Sequence, residues 1–370
     1  MSTVPEGIFV TKARFIRKCC RLPCLLIFLV HLLFFSVPLY ASSANFQYQM
    51  AIGSPQEQQV IDTGDYKSGL TLWASRAEQG DASAQNNLGI MYANGWGVQQ
   101  DNEVAARWVT LAAEQGDLFA QNNLGIMYAR GHGVPQNDNV AAKWFTLSAL
   151  QGWSYAQFYL GMFYASGLGI AQNNEAAVKW YRLAAEQGLA EAQYNMGYMV
   201  SGGRGVSQDD QAATRWYKLA AEQGLAEAQF ILGNRYAFGI GEQQDYKEAA
   251  KWVSLAAQQA HPQARLILGM MYFYGKGKPQ DFQTAIKWLN LAAEQGDLTA
   301  MEKLGSIYLL GEVVAEDKVH ALMWLIIATL RGGDPKIRDL VAQAMTPSQR
   351  NKAQERAYEW LGERGVYRQP

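Results

Sequence analysis

The chain has 370 residues, 49% of them apolar and 18% charged, which excludes a disordered polymer and leaves ample material for a core. Its formal charge is −1; setting aside the five bases and one acid of residues 1–44, 27 bases face 32 acids. That balance lacks the basic face that phosphate binding needs, so nucleic acid is not an expected partner.

In chain order, Lys12, Arg14, Arg17, Lys18 and Arg21 run into an apolar stretch from Leu22 to Tyr40, and Ala41-Ser42-Ser43-Ala44 follows. Basic, apolar and small residues in that order form a secretory signal, so residues 1–44 are expected to be a signal peptide cleaved after Ala44 or Ala41. An uncleaved anchor is the alternative, but Leu25–Tyr40 is only 16 residues, interrupted by His31 and Pro38, which is short for a stable span. Cys19, Cys20 and Cys24 all lie in this segment, so the mature chain would hold no cysteine and would depend on packing rather than disulfides. A soluble exported protein is expected, periplasmic or secreted, meeting the membrane only transiently through its signal.

Residues 45–64 are rich in glutamine and contain Gly53-Ser54-Pro55; they read as a flexible lead-in. Residues 65–80 read as an N-terminal capping helix, with Trp73 one residue out of step with the tryptophans downstream and Leu72 in their slot.

From there the sequence repeats. Tryptophan recurs every 36 residues at Trp108, Trp144, Trp180, Trp216, Trp252, Trp288 and Trp324, and glycine keeps the same step from Gly89 to Gly305. Seven copies follow, at 81–116, 117–152, 153–188, 189–224, 225–260, 261–296 and 297–332. Each reads as two short helices. In the first copy Ala84, Leu88 and Tyr92 share one helical face, Gly95-Trp96-Gly97-Val98 breaks the helix, and Ala105, Trp108 and Ala112 line the next. Helices this short cannot bury their apolar stripes alone, so neighbouring copies must stack. Gly89 costs about 1 kcal/mol relative to alanine inside a helix, which implies a second helix passing close by. The tryptophan is expected to fill the wedge between successive pairs. Residues 333–370 form a C-terminal capping region, in which Thr346-Pro347 starts a helix reaching about Glu363.

The pattern Ala84-x3-Leu88-Gly89-x2-Tyr92-x2-Gly95-x-Gly97-Val98, then Ala105-x2-Trp108-x3-Ala112-Ala113-x2-Gly116, resembles the Sel-one-like repeat, a longer relative of the tetratricopeptide repeat. The resemblance implies an all-α fold: a right-handed α/α superhelical solenoid of seven helix-turn-helix repeats with capping helices. It also implies that the first helix of each copy lines a concave side.

Catalytic signatures are missing. The Gly-x-Gly-Val loops lack both the third glycine of a dinucleotide cradle and the lysine of a P-loop, and read as turns. His132, His261 and His320 sit in different copies without metal-ligand spacing. No Gly-x-Ser-x-Gly elbow occurs. Glu114, Glu186, Glu222 and Glu294 form a ladder of solvated helix ends rather than a convergent acid–base pair. No enzymatic activity, cofactor or metal is expected.

The variable positions of the first helices suggest a binding stripe. Asn87, Asn123, Tyr159 and Asn195 share one position in their copies. Met91, Met127, Phe163, Met199, Arg235 and Met271 share another, and Arg130, Phe238 and Tyr274 a third. Methionine and aromatic side chains suit an adaptable peptide groove. The expected function is an exported scaffold or adaptor that binds a protein or peptide partner in that groove. An envelope protein binding glycan or peptidoglycan fragments, or a secreted factor contacting host proteins, is the alternative.

Overall fold

A computed structural model of the chain describes residues 48–364; the expected signal peptide lies outside the described residues. Among the described residues there are eighteen helices and no strand. No helix among them is long and apolar enough to cross a membrane. The chain divides into two compact units, with the boundary between Ala228 and Gln229.

In the first unit, α1 (Pro55–Thr63) and α2 (Tyr66–Glu78) precede four helix pairs. These are α3 (Ala82–Asn94) with α4 (Asn102–Glu114), α5 (Leu118–Arg130) with α6 (Asp138–Leu150), α7 (Ser154–Ser166) with α8 (Asn174–Glu186), and α9 (Ala190–Ser201) with α10 (Asp210–Glu222). The unit boundary falls in the first turn of α11 (Ala226–Phe238). The second unit continues with α12 (Tyr246–Gln258), α13 (Pro262–Tyr274), α14 (Phe282–Glu294), α15 (Leu298–Leu310) and α16 (Lys318–Leu330). It closes with α17 (Pro335–Gln343) and α18 (Pro347–Glu363). Within each unit, successive helices pack against one another in chain order, which makes the fold an all-α solenoid of stacked pairs.

The sequence punctuates these helices chemically. Asp81 accepts a hydrogen bond from the Ala84 amide at the start of α3, and Asp101 accepts from Glu103 and Val104 at the start of α4. Gly95, in the left-handed region at φ 70°, ends α3. The second loop glycine has a steric reason as well: a Cβ on Gly133 would overlap the Asn102 carbonyl at the start of the preceding copy's second helix.

The helix–helix wedge is filled differently from the expectation. A Cβ on Gly125 would lie 2.7 Å from the Phe145 ring, and one on Gly161 2.7 Å from the Tyr181 ring. The residue after each tryptophan therefore enters the close approach that the helix glycine leaves open. Val109, Phe145, Tyr181, Tyr217, Val253, Leu289 and Leu325 are all buried there. The tryptophans stand about 100° further round the helix. Trp108, Trp144, Trp180, Trp216 and Trp288 are only half-buried, whereas Trp252 and Trp324 are buried. Trp73 follows the same logic. It occupies the buried slot, 36 residues before Val109, and Leu72 occupies the half-buried one.

A glutamine ladder ties the two helices of a copy together. Gln115 donates to Gln85 at 2.7 Å, and Gln151 to Gln121, Gln187 to Gln157 and Gln223 to Gln193 at 2.8 Å. In the second unit Gln259 repeats the bond to Gln229 at 2.9 Å. The ends of these five second helices are thus more than solvated, since the residue that follows each helix bonds to the first helix of its own copy, and further along Glu294 pairs with Arg364 at 3.2 Å.

The expected flexible lead-in over residues 45–64 is corrected from residue 48 onward. Residues 48–53 form an extended stretch, and α1 follows with Ser54 as its cap and Pro55 in its first turn. At the other end α18 starts with a capping box between Thr346 and Gln349 and buries Ala353, Ala357 and Leu361. Its Trp360 meets Trp324 edge-on at 5.5 Å.

Candidate strand-binding site on the first two repeats

Asparagine is a poor residue for a helix interior, because its amide competes for main-chain hydrogen bonds. The first two copies nevertheless place two in succession: Asn86-Asn87 on α3 and Asn122-Asn123 on α5. All four are fully buried.

Three of these amides hold the extended stretch that precedes α1. The Ala51 amide donates to Asn87 Oδ1 at 2.8 Å, and Asn87 Nδ2 donates back to the Ala51 carbonyl. One copy further on, the Gln49 amide donates to Asn123 Oδ1 at 2.8 Å, and Asn123 Nδ2 returns a bond to the Gln49 carbonyl at 2.8 Å. Asn86 Nδ2 adds a second donor to the Gln49 carbonyl at 3.0 Å, and its Oδ1 accepts from Asn123 at 2.8 Å. Alternate residues of an extended strand present both N–H and C=O to the same side, and this geometry suits one amide side chain per alternate residue. The strand runs opposite to the order of the copies, Ala51 on the first and Gln49 on the second.

Side chains lock the register. Tyr48 packs against the buried cluster that includes Ala93, Leu124 and Met127, and its hydroxyl lies 2.9 Å from His132 Nδ1. Burial pushes the Tyr48 phenol up to about 12, with the Arg130 charge acting the other way. Burial first, and then Arg130, holds the His132 imidazole below its usual range. Met50 packs with Trp73, Leu88 and Met91, and the Ala51 methyl is buried. Gly53 donates its amide to Glu57 at 2.7 Å, and that buried carboxylate also accepts from Trp73 at 2.9 Å and Arg76 at 2.7 Å. Burial opposes the Glu57 charge, but the bonds from Trp73, Gly53 and Arg76 outweigh it and hold the carboxyl below its usual value.

Of the stripe expected from sequence, Asn87 and Asn123 are therefore brought together on one strand. Most of the rest is core. Met91, Met127, Tyr159, Phe163, Met199 and Met271 are buried, because their position on the first helix faces the second helix and the neighbouring copy. Phe163, for example, meets the Phe145 ring at 5.2 Å. Asn195 is buried beside the Tyr181 hydroxyl, whose ionisation burial pushes up. Arg235 is buried, Phe238 and Tyr274 are half-buried, and Lys303 lies 3.2 Å from the Tyr274 hydroxyl. Arg130 alone of these residues is exposed. The adaptable stripe of methionines is thus corrected to a packed interior. Sequence reasoning missed Asn86, Asn122, Tyr48 and Ala51; the doubled asparagines, confined to two copies, were the available signal.

The Sel1 repeat family model matches residues 82–117, 118–153, 154–189, 190–225, 226–261, 262–297 and 298–333. The chain belongs to the Sel1 repeat family. A Sel1 repeat protein from Oxalobacter formigenes is similar at 32% identity and a TM-score of 0.58, over 63% of this chain and 94% of that one. A protective antigen of uropathogenic Escherichia coli strains, displaying an SLR fold, is similar at 28% identity and a TM-score of 0.52, over 86% of this chain and 80% of that one. No curated protein matches. Sel1 repeat proteins are generally scaffolds for protein–protein interaction, and they are typically non-catalytic.

Proposed function

We propose that this Sel1 repeat protein is an exported scaffold that holds a partner protein by an extended segment laid across its first two repeats. The observation that carries the reading is the paired recognition of main chain. Asn87 and Asn123 each engage both the N–H and the C=O of one strand residue, and Asn86 reinforces the second. Recognition through the main chain supplies affinity for any extended polypeptide, while the flanking pockets for alternate side chains supply selectivity. Export rests on the order of basic, apolar and small residues in 1–44, and cell fractionation of the full chain tests it.

In-cell photocrosslinking tests the partner. A photoreactive residue replacing exposed Arg130, at the rim of the strand site, is expected to give a discrete adduct with a second polypeptide. The same replacement at exposed Leu219 on α10 is expected to give none. Identical adducts from both positions, or none from either, would remove the reading.

A further inference from the structure

We infer that residues 48–53 are a displaceable stand-in for the partner, and that the partner presents an extended segment with tyrosine three residues before alanine. The inference rests on the proposed function and names the chemistry of its ligand. Four features of the site point to it.

The first is the mode of holding. Every hydrogen bond from Asn86, Asn87 and Asn123 to this stretch goes to its main chain, so the same site accepts another strand of the same conformation. The second is the selectivity of the flanks. The Tyr48 hydroxyl has its own acceptor or donor at His132 Nδ1, 2.9 Å away, and Ala51 is buried, with 5% of the residue exposed. A ligand that repeats these contacts carries a phenol at one position and a small apolar side chain, as in alanine, three residues later.

The third is an amide left over. Asn122 on α5 stands where Asn86 stands on α3, one copy earlier. Asn86 gives its Nδ2 to a strand carbonyl, yet Asn122 is fully buried and neither its Nδ2 nor its Oδ1 has a hydrogen-bond partner. A buried amide with both ends unsatisfied is costly and rare. The strand direction places its missing partner on the N-terminal side of the tyrosine, so the site is longer than the stretch from Tyr48 to Gly53. The fourth is the mode of attachment: the stretch runs directly into α1 at its Gly53 end, while its other end is held only by the Tyr48–His132 contact and the Asn86 and Asn123 amides, so it opens from the Tyr48 end by peeling.

The test uses the full chain and a fluorescent peptide with the sequence of residues 45–54. Gln49→Pro with Ala51→Pro removes both strand amides that Asn123 and Asn87 accept, and so weakens the resident strand in place. Anisotropy titration is expected to show the peptide binding this variant about tenfold or more tighter than the unaltered chain. Adding Asn123→Leu is expected to lose that gain. Asn122→Leu, which touches no bond of the resident strand, is expected to weaken the same peptide severalfold while a peptide starting at the tyrosine is unaffected. Equal affinity for both chains, or binding indifferent to Asn123, overturns the inference.

Hydrogen exchange on the unaltered chain provides a readout that needs no variant to fold. Excess peptide is expected to speed exchange at Gln49 and Ala51 and leave α3 protected; unchanged exchange at millimolar peptide overturns the inference. Light scattering is expected to give a monomer. A dimer that the double proline variant dissolves would make a second copy the occupant and overturn it likewise. If these arms fail while the Arg130 adduct persists, the strand is a fixed part of the fold and the partner binds beside it, which keeps the scaffold but removes its placement on the asparagines.

Discussion

At the scale of single residues, the strand end is governed by Glu57, a buried carboxylate with three donors. Its ordinary value is 4.5, and the hydrogen bonds from Trp73, Gly53 and Arg76, together with the Arg76 charge, lower it despite burial. Arg76 also bridges Asp81 at 2.8 Å, so the groups facing Glu57 are one indole, one amide and one shared guanidinium. An acid whose folded value is depressed adds stability that is fully present above its unfolded value and is lost as pH falls through the folded one. Glu57 thus adds stability at neutral pH that fades below 4.5. Glu57→Gln is expected to flatten that acid limb in urea denaturation followed between pH 3 and 7; a parallel limb in the variant would assign the loss to other carboxylates.

At the scale of elements, the terminal cap shows what a repeat array needs. The last pair would otherwise end in an apolar face, since α16 reads Leu322, Met323, Trp324 and Leu325 in succession. α18 covers part of it with Ala353, Ala357 and Leu361. Leu361→Ala removes a buried side chain and is expected to cost about 2–5 kcal/mol, read from the denaturation midpoint of the chain. A shift under about 0.5 kcal/mol would mean that α18 is not part of the cooperative unit. The helix pairs themselves, their caps and this last helix were legible from periodicity, glycine and the Thr346-Pro347 start. Two things were not. The wedge residue varies among Val, Phe, Tyr and Leu from copy to copy, whereas the half-buried tryptophan beside it does not vary. Invariance across copies marks a shared place but not which way it points. The strand at residues 48–53 has no local pattern to betray it. Its order comes from amides 36 and 74 residues away in the sequence, and no window of neighbouring residues contains them.

At the scale of the molecule, stability is the sum of contacts between neighbours in chain order, with few bonds reaching beyond. Damage should then stay local. Leu289→Ala, in the buried slot of α14, is expected to speed amide exchange in the helices next to it and leave the Gln49 and Ala51 amides at their original rates. Uniform acceleration across the chain would instead reveal one cooperative whole. The same logic separates the strand site from the bulk of the array. The doubled asparagines occur in two copies only, and the corresponding positions further along read Phe158-Tyr159, Phe230-Ile231 and Leu266-Ile267. Most copies supply packing alone, and two also hold the strand.

The glutamine ladder has a consequence for ancestry. The same glutamines also span the junctions within each unit, each donating to the last carbonyl of the preceding copy, from Gln151 with Gly116 at 3.0 Å to Gln295 with Ala260 at 2.8 Å. A gene that gains or loses one repeat's worth of codons therefore rebuilds an existing seam rather than inventing a new one. Array length can drift by unequal recombination among the later copies, and selection has to guard only the stretch that encodes the asparagines. Descendants of this gene should differ first in how many repeats follow the strand site, and last in the site itself.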